Sequence, residues 1–146
     1  MTLQDFDPET AVQYWHKAVK RLHVAEQLLG LGHIEDAANR GHYAVFSVIS
    51  LLHYLTGMSY SSHQQVLGMF NKNFVHCRTF SRKAGKTATD LFYLRQKADY
   101  DFVQDIDEDL TRKCIEEAAD LFAEAAEYLS YYSPELSKAI NSDTQP

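Results

Sequence analysis

Residues 34–55, IEDAANRGHYAVFSVISLLHYL, decide the fold of this 146-residue chain. When the stretch is placed on a helical wheel at about 100° per residue, apolar side chains cover most of the circumference. The polar side chains form one narrow line that consists of Asp36, Arg40, Tyr43, Ser47, Ser50 and Tyr54. The spacing therefore predicts a long, mostly buried helix that carries a single polar stripe.

One helix is predicted before this stretch and a short one after it. Asp7-Pro8-Glu9 is a strong helix start, because Asp caps free amides, Pro fits the first turn and Glu complements the helix dipole. Apolar residues then recur every three or four positions to about residue 29, where Gly30 and Gly32 end the pattern. Ser62 with Gln65 resembles a capping box, which predicts the start of a short helix.

Two further long helices are predicted in the second half of the chain. Residues 82–102 carry an apolar stripe, and the acidic segment 105–109 opens another helix that ends at Ser133-Pro134. The predicted fold is therefore all-α, an antiparallel four-helix bundle with an extra short helix, and residues 1–136 form its single domain. Residues 137–146 are predicted to be a polar, disordered tail.

Composition excludes several classes of protein. The amino terminus has no signal-peptide pattern, and the longest apolar stretch, 44–55, is shorter than the roughly 20 residues that a membrane span needs. We therefore expect a soluble, cytoplasmic protein that does not enter a membrane. The spacing of cysteines and histidines fits no metal site, and no cofactor motif is present, so neither a metal nor a cofactor is predicted.

Charge is distributed unevenly along the chain. The net charge is −6, yet residues 37–89 contain no Asp or Glu and hold six basic residues: Arg40, Lys72, Arg78, Arg82, Lys83 and Lys86. One interpretation is a face that binds anions, with Arg78 and Arg82 among its donors and His76 beside them. The other is that acids are concentrated near the ends, because clustering in sequence need not mean clustering in space.

Arg95 lies in an unusual position for a charged residue. On the predicted 82–102 helix it projects within about 60° of Leu91 and Ala98, on the side that faces the core. A lone guanidinium is costly to bury, so Arg95 must reach a cleft or pair with a carboxylate. Asp99, four residues later, offers an intrahelical ion pair. The alternative is a cleft or subunit interface where Arg95 grips a phosphate.

Two segments carry a resemblance to a known family. Residues 35–46, EDAANRGHYAVF, and 94–101, LRQKADYD, with Gly57, His63 and Val66 between them, resemble the HEPN superfamily. The motifs A-x-x-R-x-x-Y-A-x-F and L-R-x-x-A-D-Y are similar to those of its small prokaryotic members, including proteins of the UPF0332 type. The resemblance extends from about residue 8 to residue 133. It implies a helical bundle that usually dimerises.

The resemblance also implies a function. Many members are metal-independent ribonucleases paired with a minimal nucleotidyltransferase in a toxin–antitoxin system, and their signature is Arg followed after four to six residues by His. Arg95 matches the arginine, whereas the histidine positions hold Tyr100, Asp101 and Phe102, so the usual acid–base group is missing. In some such systems the partner adenylylates a tyrosine just after the signature, and Tyr100 is the nearest candidate here.

Three functions remain open from the sequence. The first is a homodimeric HEPN-domain protein that binds RNA or a nucleotide in a cleft formed by Arg40, Tyr43, Arg95 and Asp99, and that pairs with a nucleotidyltransferase. The second is an endoribonuclease in which Arg95 stabilises the phosphate while another group moves the proton. The third is a purely structural dimerisation module. His42 projects about 200° away from Arg40 around its helix, so we predict that it packs or lies in an interface.

Overall fold

The computed structural model describes residues 6–100 and 105–143, and in these residues it is helical with no strand. The prediction of an all-α fold is confirmed. The helices in chain order are α1 (Pro8–Gly30), α2 (Ile34–Leu55), α3 (His63–Phe70), a π-helix (Asn71–Val75), α4 (Arg82–Tyr100), α5 (Glu108–Tyr132) and α6 (Pro134–Asp143).

Helix α2 lies at the centre of the bundle and packs against α1, α3, α4 and α5. Most of its side chains are buried, and its predicted polar stripe runs from exposed Asp36 and Arg40 to partly exposed Tyr54. Gly41 permits a close approach of neighbouring helices, because a Cβ at this position would lie 3.3 Å from side-chain atoms of both Leu91 and Ile115. The central helix thus brings α4 and α5 together on one side.

The predicted helix starts are confirmed by their capping bonds. The Asp7 carboxylate accepts a hydrogen bond from the Glu9 amide at 3.4 Å, and the Ser62 hydroxyl accepts one from the Gln65 amide at 3.1 Å. Asp107 caps α5 by accepting from the Leu110 amide at 3.0 Å. Such side chains satisfy amides that the first turn of a helix leaves without partners.

The predicted boundary after Leu136 is wrong, because the chain continues as helix α6 to Asp143. Pro134 and Glu135 suit a first helical turn, and Leu136 and Ile140 lie one turn apart on the same side of this helix. Both of these side chains are buried, with α6 packed against α1 and α5. Two aliphatic side chains therefore hold α6 against the rest of the bundle, although most residues of this helix are polar.

The connection between α3 and α4, whose sequence has no clear periodic pattern, has a defined backbone. It begins with the π-helix and continues to Arg78, which has a positive φ of 64°. Three phenylalanines pack beneath it with ring centroids 5.4–6.0 Å apart, namely Phe70, Phe74 and Phe80. The segment is therefore fixed to the core even though its polar side chains are exposed.

Helix α4 is described as far as Tyr100, and positions 101 and 102, where the predicted helix ends, lie outside the described residues. Within the described part of the chain, no helix is both long and apolar enough to span a bilayer.

Candidate functional site

Arg95, Tyr43 and Asp99 lie together at the junction of α2 and α4. The guanidinium carbon of Arg95 is 5.5 Å from the centroid of the Tyr43 ring, which is within the range of a cation–π contact. Arg95 Nε lies 2.9 Å from Asp99 Oδ2, so the ion pair that the sequence predicts is present. The Arg95 side chain is 18% exposed and that of Asp99 is 33% exposed. Both side chains of the pair are therefore partly exposed to solvent and not fully buried in the core.

The contact between Arg95 and Asp99 is an ion pair without good hydrogen-bond geometry. Although the two atoms are 2.9 Å apart, Arg95 Nε is buried and makes no hydrogen bond among the described residues, because its N–H is not directed at the carboxylate. A guanidinium has five N–H donors in a fixed fork. Asp99 therefore supplies charge compensation to Arg95 and leaves the Nε–H donor unused.

Two histidines complete this cluster from the side of α2 and α3. The ring of His63 lies 5.8 Å from that of Tyr43 and 4.3 Å from that of Phe46. His42 lies 5.5 Å from His63, is only 4% exposed, and makes no hydrogen bond through Nε2 among the described residues. The prediction that His42 packs is confirmed. We call Tyr43, His63, Arg95 and Asp99 the Arg95 site.

Both histidines are held in the neutral form by their surroundings. Burial lowers the pKa of His42 to about 3, with further lowering by His63 and by the positive charge of Arg95. Burial and the charge of Arg95 also lower the pKa of His63 below its usual value. At neutral pH the Arg95 site therefore contains an uncharged imidazole, partly exposed, beside a guanidinium.

Helix α1 adds a second guanidinium to the same ring. The Cζ atom of Arg21 lies 5.8 Å from the centroid of Tyr43, and its Nη1 donates a 2.6 Å hydrogen bond to the Ser47 hydroxyl. That hydroxyl donates in turn to the Tyr43 carbonyl at 2.7 Å. The Tyr43 ring thus contacts two cations, and four helices each contribute a side chain to one cluster.

The remaining residues predicted near Arg95 lie at its edges. Arg40 is exposed one turn before Tyr43 on α2. Tyr100 is 71% exposed at the end of α4, one residue beyond Asp99. Asp101 and Phe102, which occupy positions of the family's histidine, lie outside the described residues.

Arg78 and Arg82 do not join the Arg95 site. Arg82 begins α4 and Arg95 lies thirteen residues later, so they are about 20 Å apart along the helix and roughly 140° apart around it. Arg78 and Arg82 instead line a separate surface hollow of about 430 Å³ with His76 and Ser81. The acid-free segment of the sequence therefore forms two basic regions rather than one face.

His63 and Arg21 are the site residues that sequence reasoning does not find. His63 lies 32 positions before Arg95, and only the docking of α3 on α2 brings the two together. The one available signal was its place between the two family-like segments. Within residues 6–100 and 105–143, no group of three or more His, Cys, Asp or Glu side chains is arranged to hold a metal ion.

The arrangement defines a class of small helical bundle with an arginine-centred polar cluster where four helices meet. Comparison with protein families matches residues 11–129 to the HEPN domain. A UPF0332 protein of Thermotoga maritima is 31% identical over 113 residues, which cover 77% of this chain and 86% of that protein. The chain belongs to the HEPN domain family, as its sequence motifs predicted.

Proposed function

We propose that this HEPN-domain protein binds RNA or a nucleotide at the Arg95 site and is the partner of a minimal nucleotidyltransferase in a toxin–antitoxin pair. One observation carries the binding proposal: Arg95 is mostly buried, faces an aromatic ring, and keeps an Nε–H donor that its carboxylate neighbour does not use. A purely structural ion pair gains nothing from a buried donor without an acceptor. A phosphate that reaches the exposed part of the Arg95 side chain suits the guanidinium fork.

The surroundings of Arg95 suit a nucleotide better than a simple anion. Tyr43 offers an aromatic face on which a base stacks, which contributes about 1 to 3 kcal/mol per base. Arg21 adds positive charge at that ring, and Arg40 adds it one turn earlier on α2. Asp99 is the competing anion, and its carboxylate, which is 33% exposed, has to give way when a phosphate enters.

Binding is tested with a single arginine variant and a matched control. Arg95→Ala is expected to weaken binding of a fluorescent single-stranded RNA or of ATP by roughly tenfold or more, because charged hydrogen bonds contribute about 1.5 to 3 kcal/mol. Arg112→Ala removes another arginine whose Nε pairs with a carboxylate four residues away, Glu108, at 3.3 Å. If the two variants bind equally well, the Arg95 site is not the binding site.

The partner proposal concerns the surface of α4. Tyr100 is exposed beside the site and is the tyrosine that we propose the nucleotidyltransferase adenylylates. We expect the two proteins to copurify and, with ATP, to yield an added AMP mass on the chain that Tyr100→Phe abolishes. An unmodified Tyr100 after such an incubation argues against this step.

We also propose that the protein forms a homodimer. Light scattering tests this, and a monomeric mass at micromolar concentration excludes it.

A second function, endoribonuclease activity, is favoured by His63. This neutral, partly exposed imidazole lies beside the Tyr43 ring that Arg95 also contacts, and it offers the proton acceptor that is missing from the family signature in this chain. In this reaction His63 takes the proton of the ribose 2′-hydroxyl, whose oxygen attacks phosphorus. The 5′-oxygen then leaves and takes a proton from water, and a 2′,3′-cyclic phosphate remains.

The ribonuclease alternative is tested by cleavage of end-labelled RNA. His63→Ala is expected to lose at least a hundredfold in rate while RNA binding persists, because acid–base groups contribute about 10² to 10⁴ in rate. His23→Ala changes an exposed histidine on α1 and is the control. Absence of cleavage by the unaltered protein rejects this alternative and leaves the binding proposal intact.

A further inference from the structure

The connection between α3 and α4 contains two rare backbone features within eight residues. A π-helix occupies Asn71–Val75, and Arg78 adopts the left-handed conformation with φ of 64°. π-Helical turns occur often at functional sites, and a non-glycine residue in the left-handed region stores conformational energy. Such strain persists only where the surrounding structure enforces it, and it gathers at ligand-binding segments.

The core enforces this backbone from below. Phe74 and Phe80 are buried, and the Phe80 amide donates a 2.8 Å hydrogen bond to the Phe74 carbonyl, which closes the connection. Gly85 on α4 lets the π-helix come close, because a Cβ there would lie 2.8 Å from Asn71 Oδ1 and 3.2 Å from a Val75 methyl. The connection is thus a rigid platform rather than a loose loop.

The platform presents basic side chains around two adjoining hollows. The first, of about 430 Å³, is lined by His76, Arg78, Ser81 and Arg82 above an apolar floor of Val75 and Phe80. The second, of about 470 Å³, shares Val75, His76 and Arg82 with the first and adds Lys86. We call the two together the basic hollow.

The carboxylates nearest to the basic hollow are already engaged. Glu124 accepts hydrogen bonds from the amide and hydroxyl of Ser81, both at 2.8 Å. Asp90 pairs with Lys86. Within the described residues, neither Arg78 nor Arg82 forms an ion pair. The basic hollow therefore has free cationic donors, although the whole chain has a net charge of −6.

We propose that the basic hollow binds successive phosphates of a single-stranded RNA, with Arg78 and Arg82 as the principal donors. Among the described residues that line it, no Phe, Tyr or Trp ring is exposed, so we expect its main contacts to be with the sugar–phosphate backbone and not with bases. The site itself rests on the geometry given above. The choice of RNA as the polyanion rests on the proposed function of the Arg95 site.

The experiment measures binding of a fluorescent single-stranded RNA oligonucleotide at a series of salt concentrations. The variant Arg78→Gly/Arg82→Ala is expected to bind roughly tenfold or more weakly at low salt. Its slope of log affinity against log salt is expected to become shallower by about 0.7 for each phosphate that the protein no longer neutralises, so by about 1.4 for two. Lys20→Ala/Lys138→Ala, which removes two exposed cations on α1 and α6, is the charge-matched control.

Folding does not confound this test, because glycine adopts a positive φ without strain. Arg78→Gly alone is therefore expected to raise the Tm while it weakens RNA binding, and circular dichroism monitors both variants. If a variant that contains Arg78→Gly loses both RNA binding and Tm, the loss of binding could come from unfolding. Arg82→Ala alone then gives the test, because it leaves the backbone at residue 78 unaltered. Unchanged RNA binding by a folded Arg82→Ala variant overturns the proposal.

The outcomes separate this proposal from that of the Arg95 site. If Arg95→Ala abolishes RNA binding and the Arg78/Arg82 variant matches the lysine control, the basic hollow is rejected and the proposed function stands. If the Arg78/Arg82 variant loses binding and Arg95→Ala does not, the basic hollow stands and the Arg95 site is rejected. Variant-dependent binding of inorganic pyrophosphate without RNA binding also overturns the proposal, because the ligand is then a small anion.

Discussion

His42 shows how one buried side chain ties stability to pH. Its imidazole is almost fully buried against aromatic rings, and burial lowers its pKa to about 3 from an ordinary value of 6.5. Below pH 6.5 the unfolded chain takes up a proton that the folded imidazole does not accept until about pH 3. The folded state is therefore fully stabilised above pH 6.5 and loses stability as the pH falls from that value.

Replacement of His42 by phenylalanine tests this linkage. At about pH 5 the unaltered protein is expected to lose about 2 kcal/mol of unfolding free energy relative to neutral pH through this residue. His42→Phe keeps an aromatic ring at the site, so its stability is expected to fall less with acid. His53 and His63, whose pKa values burial also lowers, retain part of the dependence. Equal acid sensitivity of variant and unaltered protein in urea titrations contradicts this explanation.

At the same scale, the sequence identified three of the four residues that form the Arg95 site, namely Tyr43, Arg95 and Asp99. The pairing of Arg95 with Asp99 follows from helical geometry, since spacing fixes which side of a helix a residue occupies. Tyr43 was grouped with them through its place on the polar stripe of α2 and the resemblance to HEPN proteins. His63 and Arg21 belong to other helices, and their approach depends on how α1 and α3 rotate and dock against α2. That rotation is set by core packing, for which a single sequence gives no spacing rule.

Among the helices, two glycines have opposite roles. Gly41 is buried where α2 meets α4 and α5, whereas Gly68 on α3 is exposed, and a Cβ at that position would have no other atom within 4 Å. Gly41→Val is expected to lower the unfolding free energy by about 1 to 3 kcal/mol, because the added methyls separate packed helices. Gly68→Ala is expected to raise it by about 0.5 to 1 kcal/mol through helix propensity.

Chemical denaturation of both glycine variants measures these changes. The difference in sign between them is the essential result, since both substitutions remove a glycine from a helix. A Gly41→Val protein as stable as the unaltered one indicates that the helices separate without cost, which contradicts close packing at that point.

Helix boundaries were predictable where a local signal marks them. Asp7 and Ser62 cap their helices as expected, because a capping side chain acts on amides two or three residues away. The π-helix was not predictable, since its five-residue bonding pattern leaves no period in the sequence. Helix α6 was missed because two aliphatic residues, Leu136 and Ile140, are too few to establish a helical stripe.

For the whole molecule, α6 is part of the core and not an appendage. Leu136→Ala and Ile140→Ala are each expected to destabilise the protein by about 2 to 4 kcal/mol, because both side chains are buried. Lys138→Ala, on the exposed side of the same helix, is expected to change stability by less than about 0.5 kcal/mol. Thermal unfolding of the three variants distinguishes a helix that packs on the core from a dispensable tail. For a dispensable tail, all three variants would be as stable as the unaltered protein.

The uneven charge of the chain becomes meaningful only in three dimensions. The acid-free segment 37–89 spans α2, α3, the π-helix and the start of α4, so its cations are carried to different parts of the surface. Composition indicated that cations were available for an anionic ligand. It did not indicate that Arg82 would lie about 20 Å from Arg95 along α4, because that separation depends on helix length.

The docking of α6 on α1 has a consequence for synthesis on the ribosome. Helix α1 meets α2 as soon as both have emerged, but α6 follows the end of α1 by roughly a hundred residues. At ordinary translation rates of about 5 to 20 residues per second, the apolar strip of α1 that α6 covers stays open for roughly 5 to 20 s. Nascent chains of this protein therefore offer chaperones a defined, short-lived target.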